Sequence, residues 1–324
     1  MNEPPIPPNP AHKDRRGGLI AFGILLILVG CVCALFVPLM LAGQAMAPQT
    51  TGAAPDYRTI LPVVVMYGAL AVLFVWLGIG SIQARRWARA LVLIVAWLWL
   101  VMGVIVVGFR AVFLPWILDN PPPGVEPLPE AARVVMMVVM SGVMAVCFVA
   151  LPGLLVLFYR SRHVKATCEA RDPVQRWTDA CPLPVLGLSL VLGCCAVSML
   201  PMLFAYHSVV PCFGRLVSGA PGTGLMLVMI AWWGYCAWAI YRLKPAGWWA
   251  IVIGFGVMLV SALLTFTRVD LVEMYRLMGY PEEQIQQMQR YNLFKGRNML
   301  LFITSGSLVW FGYLAWVRKY FRRE

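Results

Sequence analysis

Runs of about 20 apolar residues, the length a helix needs to cross about 30 Å of hydrocarbon, alternate along the chain with short charged clusters. Eight such stretches stand between charges, at residues 18–42, 60–82, 87–109, 134–158, 183–205, 223–241, 248–266 and 299–317. None alternates with period two, the mark of a transmembrane barrel strand. Lipid offers no partner for an unpaired backbone amide, so all eight are expected to be helices. The pattern predicts an all-α integral membrane protein with about eight transmembrane helices.

Composition agrees with the pattern. Of 324 residues, 61% are hydrophobic and 12% charged, and the mean hydropathy is +0.78. Soluble domains carry about 25% charged residues, so this composition excludes a soluble enzyme, a disordered chain and a nucleic-acid-binding domain. The net charge of +12 is then a topology signal. With the N-terminus inside and the segments alternating, 17 of the 26 basic residues fall on the cytoplasmic side with six acidic ones. The other face keeps nine basic and eight acidic residues. Cytoplasmic loops favour Lys and Arg, which places both termini inside and predicts contact with anionic lipid on that side. The reading is of a multi-pass protein of a bacterial plasma (inner) membrane. Residues 1–17 are expected to form a disordered, Pro-rich cytoplasmic tail. Lys13–Arg16 and Ala45-Met46-Ala47 resemble the ends of a signal peptide, but the apolar stretch between them exceeds the usual 7–15 residues, so a retained span is expected.

The two halves match at an offset of 162–164 residues. Gly30-Cys31 and Pro38 recur as Gly193-Cys194 and Pro201, Trp76 as Trp238, Trp87-Ala88 as Trp249-Ala250, and Arg133 with Ser141-Gly142 as Arg297 with Ser305-Gly306. Each match falls in the corresponding span. Residues 18–159 and 183–324 are therefore expected to be parallel four-helix repeats, since each has an even number of spans. A cytoplasmic linker, 160–182, joins them. An outer amphipathic cap helix is expected near 281–295, where Pro281-Glu282-Glu283 reads as a helix start and Ile285, Met288 and Tyr291 form an apolar stripe.

Candidate chemistry is sparse. The span interiors hold no Asp, Glu, Lys, Arg or His, the residues that mark proton relays and ion paths. The polar positions within spans are mild, with Ser141 and Ser305 foremost. Ser and Thr there are expected to satisfy backbone carbonyls, and no base is placed to activate either serine. Six of the nine cysteines lie in spans as small apolar residues. The histidines lack metal-ligand spacing, so no metal is expected. No phosphate-binding or dinucleotide glycine loop occurs, so no cofactor is expected. In the linker, Asp172-Pro173 is expected to end any helix, and Trp177 among basic residues suits an anionic leaflet.

The most suggestive set is four arginines, Arg110, Arg133, Arg268 and Arg297, at the outer ends of the third, fourth, seventh and eighth spans. They suit an anion or a lipid headgroup, because guanidinium pairs carboxylate or phosphate in two places at once. Snorkelling anchors are the plain alternative. Internal pairing with Asp119, Glu130, Asp270 or Glu273 is the other. Three functions follow as expectations. The first is a transporter or permease for a small, anionic solute, with a path between the halves. The second is a non-catalytic anchor, assembly or sensor component acting through its cytoplasmic linker. The third is a membrane enzyme acting on lipid at the outer face through Asp119, Glu126, Glu130, Asp270 or Glu273. An enzyme is the less expected of these.

Overall fold

The computed structural model describes residues 14–51, 57–119, 129–205, 207–280, 282, 285–286, 289 and 296–321. The side chains of 47–51, 57–59, 112–119, 204–205, 296–299 and 301–302 lie outside that description, as do residues 1–13 of the tail expected over 1–17; Arg16 and Gly17, its last two residues, instead open the first helix. Among the described residues six helices are long and apolar enough to cross a membrane, the architecture of a helical, multi-pass membrane protein. The chain divides into two compact units, Met1–Ala180 and Cys181–Glu324. The segment 160–180 falls within the first of them.

The first unit contains α1 (Arg16–Thr51), α2 (Tyr57–Ile82), α3 (Arg86–Asp119), α4 (Glu130–Ala145), a π-helical turn at Val146–Ala150, α5 (Leu151–Arg160) and α6 (Arg162–Arg171). Glycine sets the approach of α1 to α2. A Cβ on Gly23 would meet the Gly78 carbonyl at 2.8 Å, and one on Gly78 the Gly23 carbonyl at 2.6 Å. Seven residues further along α1, Gly30 faces the Ala71 carbonyl at 3.0 Å. Membrane helices attract one another through such close packing, since lipid is as apolar as the side chains it competes with. Where α1 begins, the core is densest: Leu19, Leu77, Ala88, Leu155 and Tyr159 are all buried. The hydroxyls of Ser81 and Tyr159 bond there, and Ser81 donates to the Leu19 carbonyl at 3.0 Å.

The fourth span, α4 to α5, runs as one helix through the π-helical turn. Pro152 explains that turn. It has no amide to give the carbonyl four residues back, Phe148, and its ring would strike it. The extra residue of a π turn relieves the clash. The Phe148 carbonyl occupies the place where a Cβ on Gly103 of α3 would sit, so glycine is required there.

The second unit contains α7 (Leu183–Ser198), a short α8 (Met202–Ala205), strands β1 (Val210–Cys212) and β2 (Arg215–Val217), α9 (Gly219–Tyr241), α10 (Pro245–Phe266), α11 (Leu271–Leu277) and α12 (Gly296–Val317). The fifth apolar stretch, expected as one helix over 183–205, is broken: α7 stops at Ser198 because Pro201 offers no amide and disfavours helical geometry at Leu200. Pro38, its match in the first unit, sits inside the unbroken α1. The antiparallel hairpin β1–β2 was not expected at all. Its turn, Phe213-Gly214, has φ of 42° and 90°, the pair of positive angles of a type I′ two-residue hairpin loop.

The two tight interhelical corners share one geometry. In α2–α3, Ala84 has φ 54°, and the Ala84 and Arg85 amides donate to the Ser81 and Gly80 carbonyls at 2.8 and 3.0 Å. In α9–α10, Leu243 has φ 57°, and the Leu243 and Lys244 amides donate to the Ile240 and Ala239 carbonyls at 2.9 and 3.0 Å. Both are left-handed helix caps of the Schellman type. Small residues close both corners, Gly80 on Ala88 and Gly247 on Ala239. The corner residues Ala84 and Leu243 are 159 positions apart, so at the corners Trp76 falls opposite Tyr235 and not Trp238.

Candidate functional site

Charged chemistry in the first unit gathers where α6 and the turn Trp177–Asp179 lie on the start of α3. The helix α6 ends at Arg171, capped by Asp172, because the residue before Pro173 avoids helical geometry. That ending turns the Asp172 carboxylate inward, where only 3% of it is exposed. Arg86 opens α3, and the first amides of a helix have no partner within it. The Arg86 amide donates to Asp172 Oδ2 at 3.3 Å. A carboxylate at the positive end of a helix is stabilised by the dipole. Around it stand the Arg85 guanidinium, 3.8 Å from Oδ1, and that of Arg176, 3.6 Å from Oδ2.

The other two acids of the segment are also held. The Arg86 side chain reaches Glu169 at 3.7 Å and Asp179 at 3.6 Å, and Asp179 accepts from the Arg176 amide at 3.1 Å. Lys165 lies 3.8 Å from Glu169. Beneath this layer Cys168 is buried, and burial pushes its thiol up to about 11, with Arg89 working against the rise. A thiol so raised stays protonated and unreactive at neutral pH. Arg89 Nε and Thr178 Oγ1 are buried without a hydrogen-bond partner among the described residues. Facing outward are Val174, 61% exposed, and Trp177, 47% exposed. The result is a charged surface element clamped to a helix corner.

The four arginines expected at the outer face divide two to each unit. In the first, Arg110 is half-buried on α3, and its Nη2 is buried without a hydrogen-bond partner among the described residues. Arg133 is half-buried in the first turn of α4. In the second, Arg268 is exposed and lies over the β-hairpin turn, where a Cβ on Gly214 would meet its Cδ at 3.1 Å. The Arg297 side chain falls outside the described residues. Among the described residues neither Arg110 nor Arg268 is ion-paired to a carboxylate. Asp270 instead caps α11 by accepting from the Val272 amide at 3.3 Å. Ser141 and Ser305 are exposed on α4 and α12. Other span hydroxyls bond carbonyls: Ser189 to Ala237 at 2.7 Å and Thr304 to Leu300 at 2.8 Å.

Beside Arg268, the hairpin turn is fixed by α10. The Phe213 amide donates to Ser261 Oγ at 2.9 Å and the Gly214 amide to Thr265 Oγ1 at 3.0 Å. Sequence reading missed this docking, although Gly214 between Val209-Val210 and Leu216-Val217 is a hairpin signal. The Asp172 clamp was missed for another reason: nothing in the sequence ties residue 172 to residue 86. The expected cap helix near 281–295 falls mostly outside the described residues. Within it, Glu282, Ile285, Gln286 and Gln289 are helical, and Ile285 is buried. No group of His, Cys, Asp and Glu able to hold a metal occurs among the described residues. No protein-family model matches the chain, and no curated protein or solved structure matches it.

Proposed function

We propose that the protein is a non-catalytic component of a bacterial inner membrane, an anchor, assembly or sensor protein, whose working part is its folded cytoplasmic linker. In this reading eight spans form two parallel four-helix repeats with both termini inside, and α7 and α12 supply the fifth and eighth spans. The single observation that carries it is the Asp172 clamp. A tether between two halves needs only length and solubility. This segment instead buries a carboxylate, matches every acid it has to a cation and holds Val174 and Trp177 out at fixed positions. A photoreactive amino acid placed at Val174 or Trp177 in living cells should give one discrete protein adduct, lost when Asp172→Asn loosens the clamp. Adducts to lipid alone, or none, would refute the role.

A second reading, a transporter for a small anion, is favoured by Arg110. Its Nη2 is buried without a partner among the described residues, and such a group costs free energy that an anion would recover. Proteoliposomes should then take up a small carboxylate or phosphate faster than empty vesicles, and Arg110→Gln should abolish the difference. Equal uptake in all three would end that reading.

A further inference from the structure

We infer that the end of the first unit where α1 begins carries a binding site for the headgroup of an anionic phospholipid, built from Arg15, Arg16, Arg160 and Arg162. Three contacts bring these residues together. The Arg15 amide donates to Thr167 Oγ1 of α6 at 3.2 Å, and Thr167 in turn donates to the carbonyl of His163, next to Arg162, at 2.8 Å. The ring of Phe158, two residues before Arg160, fills the place of a side chain on Gly18 at 2.5 Å. The first turn of α1, the last turn of α5 and the first turn of α6 therefore form one surface.

Charge accounting makes that surface positive. The carboxylates of the segment are committed elsewhere: Asp172, Glu169 and Asp179 to Arg85, Arg86, Arg176 and Lys165, as described above. Asp14, the one acid on this surface among the described residues, lies 3.4 Å from Arg171 and accepts from the Arg16 amide at 3.0 Å. Arg15, Arg16, Arg160 and Arg162 are all exposed, and none is ion-paired among the described residues. Four guanidinium forks are left for an outside anion, each able to grip phosphate in two places. Open space beside Gly17, with nothing within 4 Å of where its Cβ would be, admits a bulky group to the positive end of α1.

The ligand is a lipid and not a free anion because an apolar track continues from the arginines. Arg16 and Arg160 are the terminal residues of two apolar spans, so the patch lies at a headgroup boundary. One and two turns before Arg160, Leu157 is 72% and Leu154 55% exposed, and on α1 Ile24 is 49% exposed. Phosphate above and acyl chain below match that order. The site is independent of any protein partner of the linker, and a detergent binding assay reads it whichever leaflet it occupies.

The test uses the purified full chain in detergent and native mass spectrometry with phosphatidylglycerol, phosphatidylcholine and inorganic phosphate. Wild type should hold phosphatidylglycerol at least about tenfold more tightly than phosphatidylcholine, and Arg160→Gln with Arg162→Gln should remove most of that preference. The pair Arg15→Gln with Arg16→Gln, on a different helix, should do the same, so misfolding of one variant does not decide the outcome. Arg242→Gln, in the other unit, should change nothing. Equal binding of the two lipids, an undiminished preference in both double variants, or displacement of the lipid by millimolar phosphate would overturn the assignment.

Discussion

Gly103 shows how one atom's absence sets a membrane packing. Its missing side chain leaves room for the Phe148 carbonyl, which Pro152 has stripped of its helical partner. A methyl group there would push α3 off the π-helical turn and leave that carbonyl facing lipid. Overpacking of this kind costs about 1–3 kcal/mol. Gly103→Ala should therefore lower the thermal midpoint of the detergent-solubilised protein by several degrees. Gly153→Ala, with nothing within 4 Å of its Cβ position, should leave the midpoint unchanged. Fluorescence-detected melting would compare them. An equal effect of both substitutions would disprove the packing role of Gly103.

At the scale of elements, α6 and its following turn behave as a part bolted to the α2–α3 corner, and Asp172 is the bolt. Removing its charge leaves Arg85 and Arg176 without their shared partner and the first amide of α3 poorly capped. Asp172→Asn should speed hydrogen exchange across residues 162–179 by about tenfold or more, the cost of a charge-assisted bond. Exchange in α9 and α10 should not change. The thiol beneath gives a second readout with a definite sign. Its folded value of about 11 exceeds the usual value of about 9, so its stabilising contribution is complete below that usual value. That contribution is lost as pH rises toward the folded value. A variant keeping only Cys168 should react with maleimide at pH 8 about a hundredfold more slowly than a free thiol. Asp172→Asn should raise that rate, both by opening the segment and by removing a charge that holds the thiolate off. Protection across 162–179, relative to the intrinsic hydroxide-catalysed rate, should fall between about pH 9 and 11 in wild type.

For the whole molecule, the distribution of Lys and Arg and the long apolar helices bear on topology together. With both termini inside, single cysteines at Gln49, Asn120 and Gln286 in a Cys-free background should react with an impermeant maleimide from outside the cell. Cysteines at Gln83 and Gln175 should react only after permeabilisation. Labelling of either in sealed cells would remove the eight-span topology and, with it, the cytoplasmic setting of the linker. Duplication makes a separate demand: an experimental structure should superpose 18–159 on 183–322 about an axis close to the membrane normal. The unlike fates of Pro38 and Pro201, and the shift from 162 to 159 at the helix corners, are where that superposition should fit least well.

Hydropathy alone determined that the protein is helical and membrane-spanning, because bilayer thickness and backbone hydrogen bonding leave a run of about 20 apolar residues no other structure. Local chemistry also carried the end of α6, since Asp172-Pro173 acts on its own backbone. Tertiary structure decided the rest. The break after Ser198, against the continuity through Pro38, depends on what surrounds each proline. The β-hairpin is held by Ser261 and Thr265, about 50 residues away in sequence. Asp172 reads as a surface acid until residue 86 is brought to it. Pairing across such distances is set by which helix faces meet, and in a chain so uniformly apolar, hydrophobic periodicity carries little record of those faces.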